Sequence, residues 1–419
     1  MRLLYITQTF PPEPGPTLRP LEQARCLVRH GHHVRVITTF PYYPSGVLLR
    51  GDRAVLWRRE QIDGIEVLRV ASLPAPNRGR WRRIASWGSF AAHAALAGLI
   101  VSKPDAVIAS VPNAGTEAAG ICIARALRIP FILELRDLLP ESMQLGGLER
   151  GSPLYLLAHR WFRAVYRRAD AIAVPSEGMV EALASAHGIE RSRILWVPHG
   201  AERDRFVGAS GGAVRRRLNL EGKFVAAYAG SFSSYYGVGN LVEAAARTSS
   251  DDRVHWLLIG DGADRAAVAR RIREARLSNV TLVDAMAPTD IVEWLAAADV
   301  CVTSLRTSGA LPYAPDRLTK VCDYLALGKP ILAVESEQLS APFLAAIGAG
   351  ESVPWADPVA LARAVVELAN DAVRCARLSA ASARFAEREL PRDQTMRALL
   401  AWLDVHKGKK STGGVHVLS

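Results

Sequence analysis

Leu3-Leu4-Tyr5-Ile6-Thr7, a Pro/Gly-rich stretch from Phe10 to Pro16, a helical run carrying Leu21, Ala24, Leu27 and Val28, then Gly31 and Val34 to Thr38: this opening decides the fold. The first apolar run is short and uncharged, as a buried strand is. The prolines and glycine after it force a loop, and the next apolar residues recur at helical spacing. Gly31 can end that helix, and Val34 to Thr38 is a second apolar strand. Strand, helix and strand in that order form a βαβ unit, which builds a parallel sheet covered by helices.

The same pattern repeats along the chain. Ala106 to Ser110, Phe131 to Leu135, Ala171 to Val174 and Ile194 to Val197 are further apolar runs separated by helical stretches, as in one doubly wound sheet. A polar, glycine-containing stretch near Gly200 to Gly212 interrupts the series. It restarts at Phe224-Val225-Ala226-Ala227-Tyr228-Ala229-Gly230 and continues with Trp256 to Ile259, Val280 to Val283, Val300 to Thr303 and Pro330 to Val334. The expected fold class is α/β, with two Rossmann-like domains: 1–200, and 201–385. A C-terminal helix over 386–405 is expected to pack back on the first domain, followed by a polar, disordered tail over 406–419.

Composition agrees with an enzyme-sized globular protein. The 419 residues are 49% hydrophobic and 22% charged, enough apolar surface for substantial cores. The formal net charge of +11 predicts attraction to phosphates, of a nucleotide or an anionic lipid for example. The five cysteines are widely spaced with no C-x-x-C pair, so neither a disulfide framework nor a zinc ribbon is expected, and a reducing cytosol fits. Pro11, Pro12 and Pro14 cut the first apolar run too short for a signal peptide. The uncharged run Ile84 to Val101 contains serines, glycines and a histidine and is marginal for a membrane span.

In open α/β sheets, ligands bind beyond the carboxyl ends of the strands, where glycine admits close backbone approach. Gly15 follows the first strand, Gly230 with Ser231 follows the first strand of the second half, and Gly260-Asp261-Gly262 follows Trp256 to Ile259. Each alone also fits an ordinary turn, and none matches G-x-G-x-x-G or a P-loop. The segment Pro315-Asp316-Arg317-Leu318-Thr319-Lys320-Val321-Cys322-Asp323-Tyr324-Leu325-Ala326-Leu327-Gly328-Lys329-Pro330 reads as a loop, a helix of about eight residues ending at Gly328, and a strand. Thr319 and Lys320 near that helix start suit a diphosphate, and Asp323 one turn on suits a ribose diol; a solvated helix with a Lys–Asp pair explains the same residues. Arg136 and Asp137 follow the strand Phe131 to Leu135. They could hold an acceptor phosphate and deprotonate an acceptor hydroxyl, or simply cap the next helix. No Asp-x-Asp and no H-E-x-x-H occurs, and the ten histidines show no ligand spacing, so no metal is expected and protein cations would stabilise a leaving phosphate.

Taken together, Phe10-Pro11-Pro12-Glu13-x-Gly15-Pro16-x-x-Arg19, Gly31-His32-x-Val34, Phe40-Pro41-x-Tyr43-Pro44-x-Gly46, Asp63-Gly64-Ile65, Arg136-Asp137-Leu138-x-Pro140-Glu141-Ser142, Tyr228-Ala229-Gly230 and Lys320-x-x-Asp323-Tyr324-Leu325-Ala326-x-Gly328-Lys329-Pro330 resemble bacterial family 4 glycosyltransferases, in the branch similar to colanic-acid and O-antigen enzymes, including L-fucosamine transferases. The resemblance runs from residue 1 to about 335. It implies a GT-B fold with an interdomain cleft, and metal-independent transfer from a nucleotide sugar with retention. The acceptor in such enzymes is often polyprenyl-linked at the inner membrane face. It makes Gly15 the loop under the transferred sugar and diphosphate and Gly230 its partner; joined to the readings above, Gly15, Gly230, Ser231, Gly260, Arg317, Thr319, Lys320 and Asp323 are expected to bind the donor and Asp137 and Arg136 to be catalytic. The family's Arg and Lys after the glycine loop are replaced here by Ser231-Phe232-Ser233-Ser234-Tyr235-Tyr236-Gly237, leaving Lys320, Arg317 and backbone N–H groups as substitutes. The first acid of the family's E-x7-E falls on Pro315, and Asp323 stands where the second glutamate binds ribose.

The expected function is therefore a cytoplasmic glycosyltransferase using a UDP-linked sugar, without cofactor or nucleic-acid partner, acting on a polysaccharide precursor or lipid-linked acceptor. A nucleotide-sugar 2-epimerase and a catalytically weakened nucleotide-sugar or lipid-binding protein are the rivals. Arg78, Arg80, Arg82 and Arg83 with Trp81 and Trp87, and the helical repeat Arg160, Arg163, Arg167 and Arg168, are candidate contacts to an anionic membrane surface.

Overall fold

The computed structural model describes residues 1–13, 17–42, 45–48, 55–76, 80–111, 115–306, 317–336 and 339–408. The chain divides into two units: one holds Met1–Pro198 and the C-terminal stretch from Thr395, the other His199–Gln394.

The first unit contains β1 (Arg2–Ile6), β2 (His33–Thr39), β3 (Trp57–Ile62), β4 (Ile65–Val70), β5 (Ala106–Val111), β6 (Phe131–Leu135), β7 (Ala171–Val174) and β8 (Ile194–Trp196). They form one sheet in the order β3-β4-β2-β1-β5-β6-β7-β8. Every described pairing is parallel except β3 with β4. The opening βαβ unit is there: the Leu18–Arg29 helix joins β1 to β2, which pair from Arg2↔His33 to Ile6↔Ile37. β3 and β4 were not read from the sequence as strands. Asp63 and Gly64 between them both have positive φ, the geometry of a two-residue hairpin turn, and β3 alternates exposed and half-buried residues as an edge strand does.

The Ile84 to Val101 run lies in the Arg80–Ile100 helix. Ser86, Phe90 and Ala94 bury one face of it, while Trp81, Leu96 and Ile100 stay exposed on the other. Among the described residues, no helix is long and apolar enough to cross a membrane. Gly98 lets this helix approach its neighbours: a Cβ there would overlap Ile123 Cδ1 and lie 3.3 Å from Leu4 Cδ2.

The second unit contains β9 (Phe224–Ala229), β10 (Val254–Ile259), β11 (Val280–Val283), β12 (Val300–Leu305), β13 (Ile331–Glu335) and β14 (Gly350–Pro354). Their order is β11-β10-β9-β12-β13-β14, all parallel, so the order reverses between β9 and β12. That reversal marks where a doubly wound sheet opens a ligand crevice. Apolar cores cover both faces, one around Leu257, Cys301 and Tyr324, the other around Tyr228, Trp256 and Leu332. β14 was missed in the sequence because Gly350-Glu351-Ser352 dilutes its apolar character.

At the C-terminus the expected boundaries move. Residues 386–389 finish the Ala372–Glu389 helix of the second unit, because the helix-breaking proline is Pro391. The final helix is Arg397–Gly408, so a tail cannot begin at His406; residues 409–419 lie outside the described ones. Met396, Leu399 and Leu403 join Leu3, Val34 and Ile132 in the core of the first unit.

The helix glycines give a direct check on packing. Gly98→Val should destabilise the first unit by about 1–3 kcal/mol through overpacking. Gly88→Ala, where a new Cβ meets nothing within 4 Å, should stabilise it by up to ~1 kcal/mol. Denaturant unfolding followed by circular dichroism reads both.

Candidate functional site

In the second unit the carboxyl ends of β9 and β10 meet the start of the Thr319–Ala326 helix. Gly230 has φ +153°, and a Cβ on it would lie 2.6 Å from Lys320 Nζ. A Cβ on Gly260 would overlap the Gly230 carbonyl oxygen. Close approach of backbone thus requires glycine at 260, while the backbone angle favours it at 230, and the two loops are tied by Gly230 N–H donating to Ile259 O and Phe232 N–H donating to Asp261 O. Ser231 is exposed beside them.

Lys320 reaches into this edge from the helix. Its Nζ donates to Tyr228 Oη at 3.2 Å and sits 4.4 Å and 4.1 Å from the ring centroids of Tyr228 and Tyr236. The side chain is half-buried, and desolvation pushes its ammonium down to about 7. Tyr324 holds the helix against β9, accepting from Ala229 N–H at 3.0 Å. Asp323 accepts from Arg205 at 3.4 Å, with both side chains largely buried. Thr319 is exposed at the first helical position. Arg317 goes elsewhere: it is buried, with its guanidinium carbon 5.1 Å from the ring centroids of both Phe343 and Phe385. Gly15 and Pro315 lie outside the described residues.

In the first unit Arg136 is half-buried at the end of β6 and donates twice to Ser110 Oγ, at 3.2 and 3.0 Å, while Asp137 beside it is exposed. Behind them lies a group that sequence reasoning missed. Glu134, 2% exposed, accepts from Tyr5 Oη at 2.6 Å, Arg19 Nε at 2.7 Å and Gln23 Nε2 at 2.7 Å. Burial would raise its carboxyl, but Arg19 and Arg136 outweigh that and hold it at about 2. Burial and Glu134 push Tyr5 well above the ordinary phenol range, so it stays a donor. Arg19 also donates to Val197 O and Pro198 O, fixing the chain just beyond β8. A lone glutamate inside the strand Phe-Ile-Leu-Glu-Leu was the available signal. The histidines, unspaced in sequence, do not stay apart in space: His159 and His187 come together with Glu141.

Comparison with known proteins gives two family matches: a glycosyl transferase 4-like domain over residues 15–200 and a glycosyl transferases group 1 domain over residues 223–371. WcaI of Escherichia coli K12, a candidate colanic acid biosynthesis glycosyl transferase, is 23% identical over 317 residues, covering 73% of this chain and 76% of its own. Anabaena HepE, solved with UDP and glucose, superposes with a TM-score of 0.70 at 16% identity, covering 96% of this chain and 99% of that one. Sucrose-phosphate synthase of Thermosynechococcus elongatus gives 0.73 at 18% identity, covering 98% and 100%. The two parallel-sheet units are thus those of a GT-B fold.

The Glu134 network predicts an acid-labile first unit. Its folded pKa lies below the ordinary 4.5, so its stabilisation is present above that value and lost as pH falls toward about 2. Glu134→Gln should cost about 3–5 kcal/mol at neutral pH and remove this part of the acid dependence, read from unfolding midpoints across pH.

Proposed function

The chain belongs to the bacterial family 4 glycosyltransferases built from these two domains, and from that premise we propose that it moves a sugar from a UDP-linked donor to a polysaccharide-precursor or lipid-linked saccharide, with retention and without a metal. The observation that carries the donor reading is Lys320: a single ammonium held over the Gly230 loop at the strand-order reversal, the position a diphosphate needs. HepE's structure with UDP supports uracil as the base.

In this reading Gly230, Ser231 and Gly260 form the backbone cradle for the diphosphate, Lys320 neutralises the charge that grows on it as the sugar departs, and Thr319 contacts it at the helix start. Asp323 accepts from the ribose hydroxyls, steered by Arg205. Arg317, buried between two phenylalanines, supports the helix rather than touching donor. The anomeric C–O bond to the phosphate breaks, and the acceptor oxygen forms the new bond on the same face. Asp137 takes the acceptor proton, and Arg136 holds an acceptor phosphate. With Lys320 as the counter-charge and no Asp-x-Asp, no divalent ion is required. Gly15 keeps its expected role under the transferred sugar.

A panel of UDP-sugars incubated with a polyprenyl-diphosphate saccharide, with no divalent ion added, tests the reading by mass spectrometry. Acceptor-dependent UDP release and a heavier lipid product are expected; a donor consumed or isomerised with no acceptor product would replace it with the epimerase reading. Calorimetry with UDP tests the site. Asp323→Ala should weaken binding by ~1.5–3 kcal/mol. Because a diphosphate favours the charged ammonium, Lys320 should take up a proton on binding above about pH 7. UDP affinity should therefore fall, as pH rises through that value, relative to Lys320→Met. The difference between the two profiles isolates Lys320 from the titration of the nucleotide itself.

Peripheral attachment to an anionic membrane is part of the proposal. Trp81, Ile84, Leu96 and Ile100 on the Arg80–Ile100 helix, and Leu157 and Trp161 on the Pro153–Arg168 helix, are exposed. Arg160, Arg163, Arg167 and Arg168 are exposed along the latter. Each cation near such a surface contributes on the order of 1 kcal/mol. Flotation should recover the protein with anionic vesicles and release it with salt; equal binding to neutral vesicles would refute a charge-driven attachment.

A further inference from the structure

Glu141, His159 and His187 come from three separate segments: the turn Glu141–Gly146 after β6, the Pro153–Arg168 helix, and the loop after the Glu177–Ser185 helix. Each offers one ligand atom, and the three atoms lie within 4.8 Å of one another. Glu141 Oε1 and His187 Nε2 are 3.1 Å apart. Two donors each ~2.0–2.2 Å from one tetrahedral ion are separated by about that much, so one edge of a coordination set already has its length.

From these residues we propose that the cluster is a structural binding site for a divalent transition-metal ion of zinc's class, pinning the segment that follows Asp137 to the Pro153–Arg168 helix and to the loop after the Glu177–Ser185 helix. The chemistry of the set is that of such ions: two imidazoles and one carboxylate, a mixture that a hard cation such as magnesium does not select.

An ordinary ion pair does not account for the site. Glu141 and His187 are buried, and Glu141 Oε2, on the carboxylate whose other oxygen meets His187 Nε2, has no hydrogen-bond partner. A buried carboxylate oxygen left this way is costly, and a cation beside it removes that cost. His159 sits over His187, ring centroids 5.6 Å apart at 30°, which brings a second imidazole within reach of the same ion. His159 itself is half-buried, so water can reach the remaining coordination position. Tyr155 stacks on His159 and Tyr166 meets His187 edge-on, which fixes both rings.

The test uses the untagged full chain, stripped with chelator, dialysed and then given zinc chloride alone. Elemental analysis should find one equivalent retained, with a raised unfolding temperature, and cobalt(II) in place of zinc should give the visible absorption of a low-symmetry site. His159→Ala leaves the buried Glu141–His187 pair intact, so it should fold; its zinc affinity should drop at least tenfold and the thermal shift should vanish, while UDP binding in the second unit stays unchanged. Zinc retained equally by His159→Ala, or no zinc retained by the parent chain, overturns the proposal. Neither outcome touches the transferase reading, which rests on donor turnover and UDP affinity.

Discussion

A parallel sheet delivers the carboxyl end of each strand to the same edge, and the chemistry of both units depends on that constraint. Backbone carbonyls and loop N–H groups collect there, and side chains from consecutive strands meet although they are far apart in sequence. Ser110 near the end of β5 and Arg136 after β6 become hydrogen-bond partners in this way. So do the Gly230 and Gly260 loops after β9 and β10. The antiparallel β3 sits at the sheet margin, where reversing direction disturbs no neighbour but β4.

The cores set how tightly each edge can be held. In the first unit a carboxylate is buried among Tyr5, Arg19 and Gln23, so three elements are fixed by one ion. Such a network is strong only when all its members are present, because any one removed leaves a buried charge or donor unpaired. Arg19 extends that fixation to Val197 and Pro198, where the chain leaves the unit.

The sequence made the two α/β units legible because apolar runs and glycine loops are local signals. Phe224 to Gly230 needs nothing distant to be recognised as a strand and turn. Lys320, Thr319 and Asp323 could be placed together on one helix for the same reason, sharing its eight residues. What escaped depends on contacts between remote segments. Glu134 looks like an irregularity in β6 until Arg19, 115 residues away, is seen against it. The departure at Ser231 to Gly237 left Lys320 and Arg317 as candidate substitutes, and the fold separates them: the Lys320 ammonium lies over Tyr236, while Arg317 packs on Phe343 and Phe385. Glu141, His159 and His187 have no common spacing because no single helix carries them. Pro391, not the end of the alanine-rich pattern, decides where the Ala372–Glu389 helix stops.

The choice of lysine over arginine at this edge follows from its surroundings. An arginine held between Tyr228 and Tyr236 would keep its charge at any physiological pH and would call for a nearby carboxylate. A carboxylate in contact with that cation would in turn oppose the anion proposed to bind there. Lysine avoids the conflict: desolvation brings it to about 7, so the free site can give up its charge without an acidic partner and regain it when an anion arrives. Arg205 meets Asp323 a turn farther along the helix, so that acid is already paired with an arginine. In the proposed function, separating the two charges along one helix lets the same element neutralise a phosphate at its start and accept from hydroxyls one turn later.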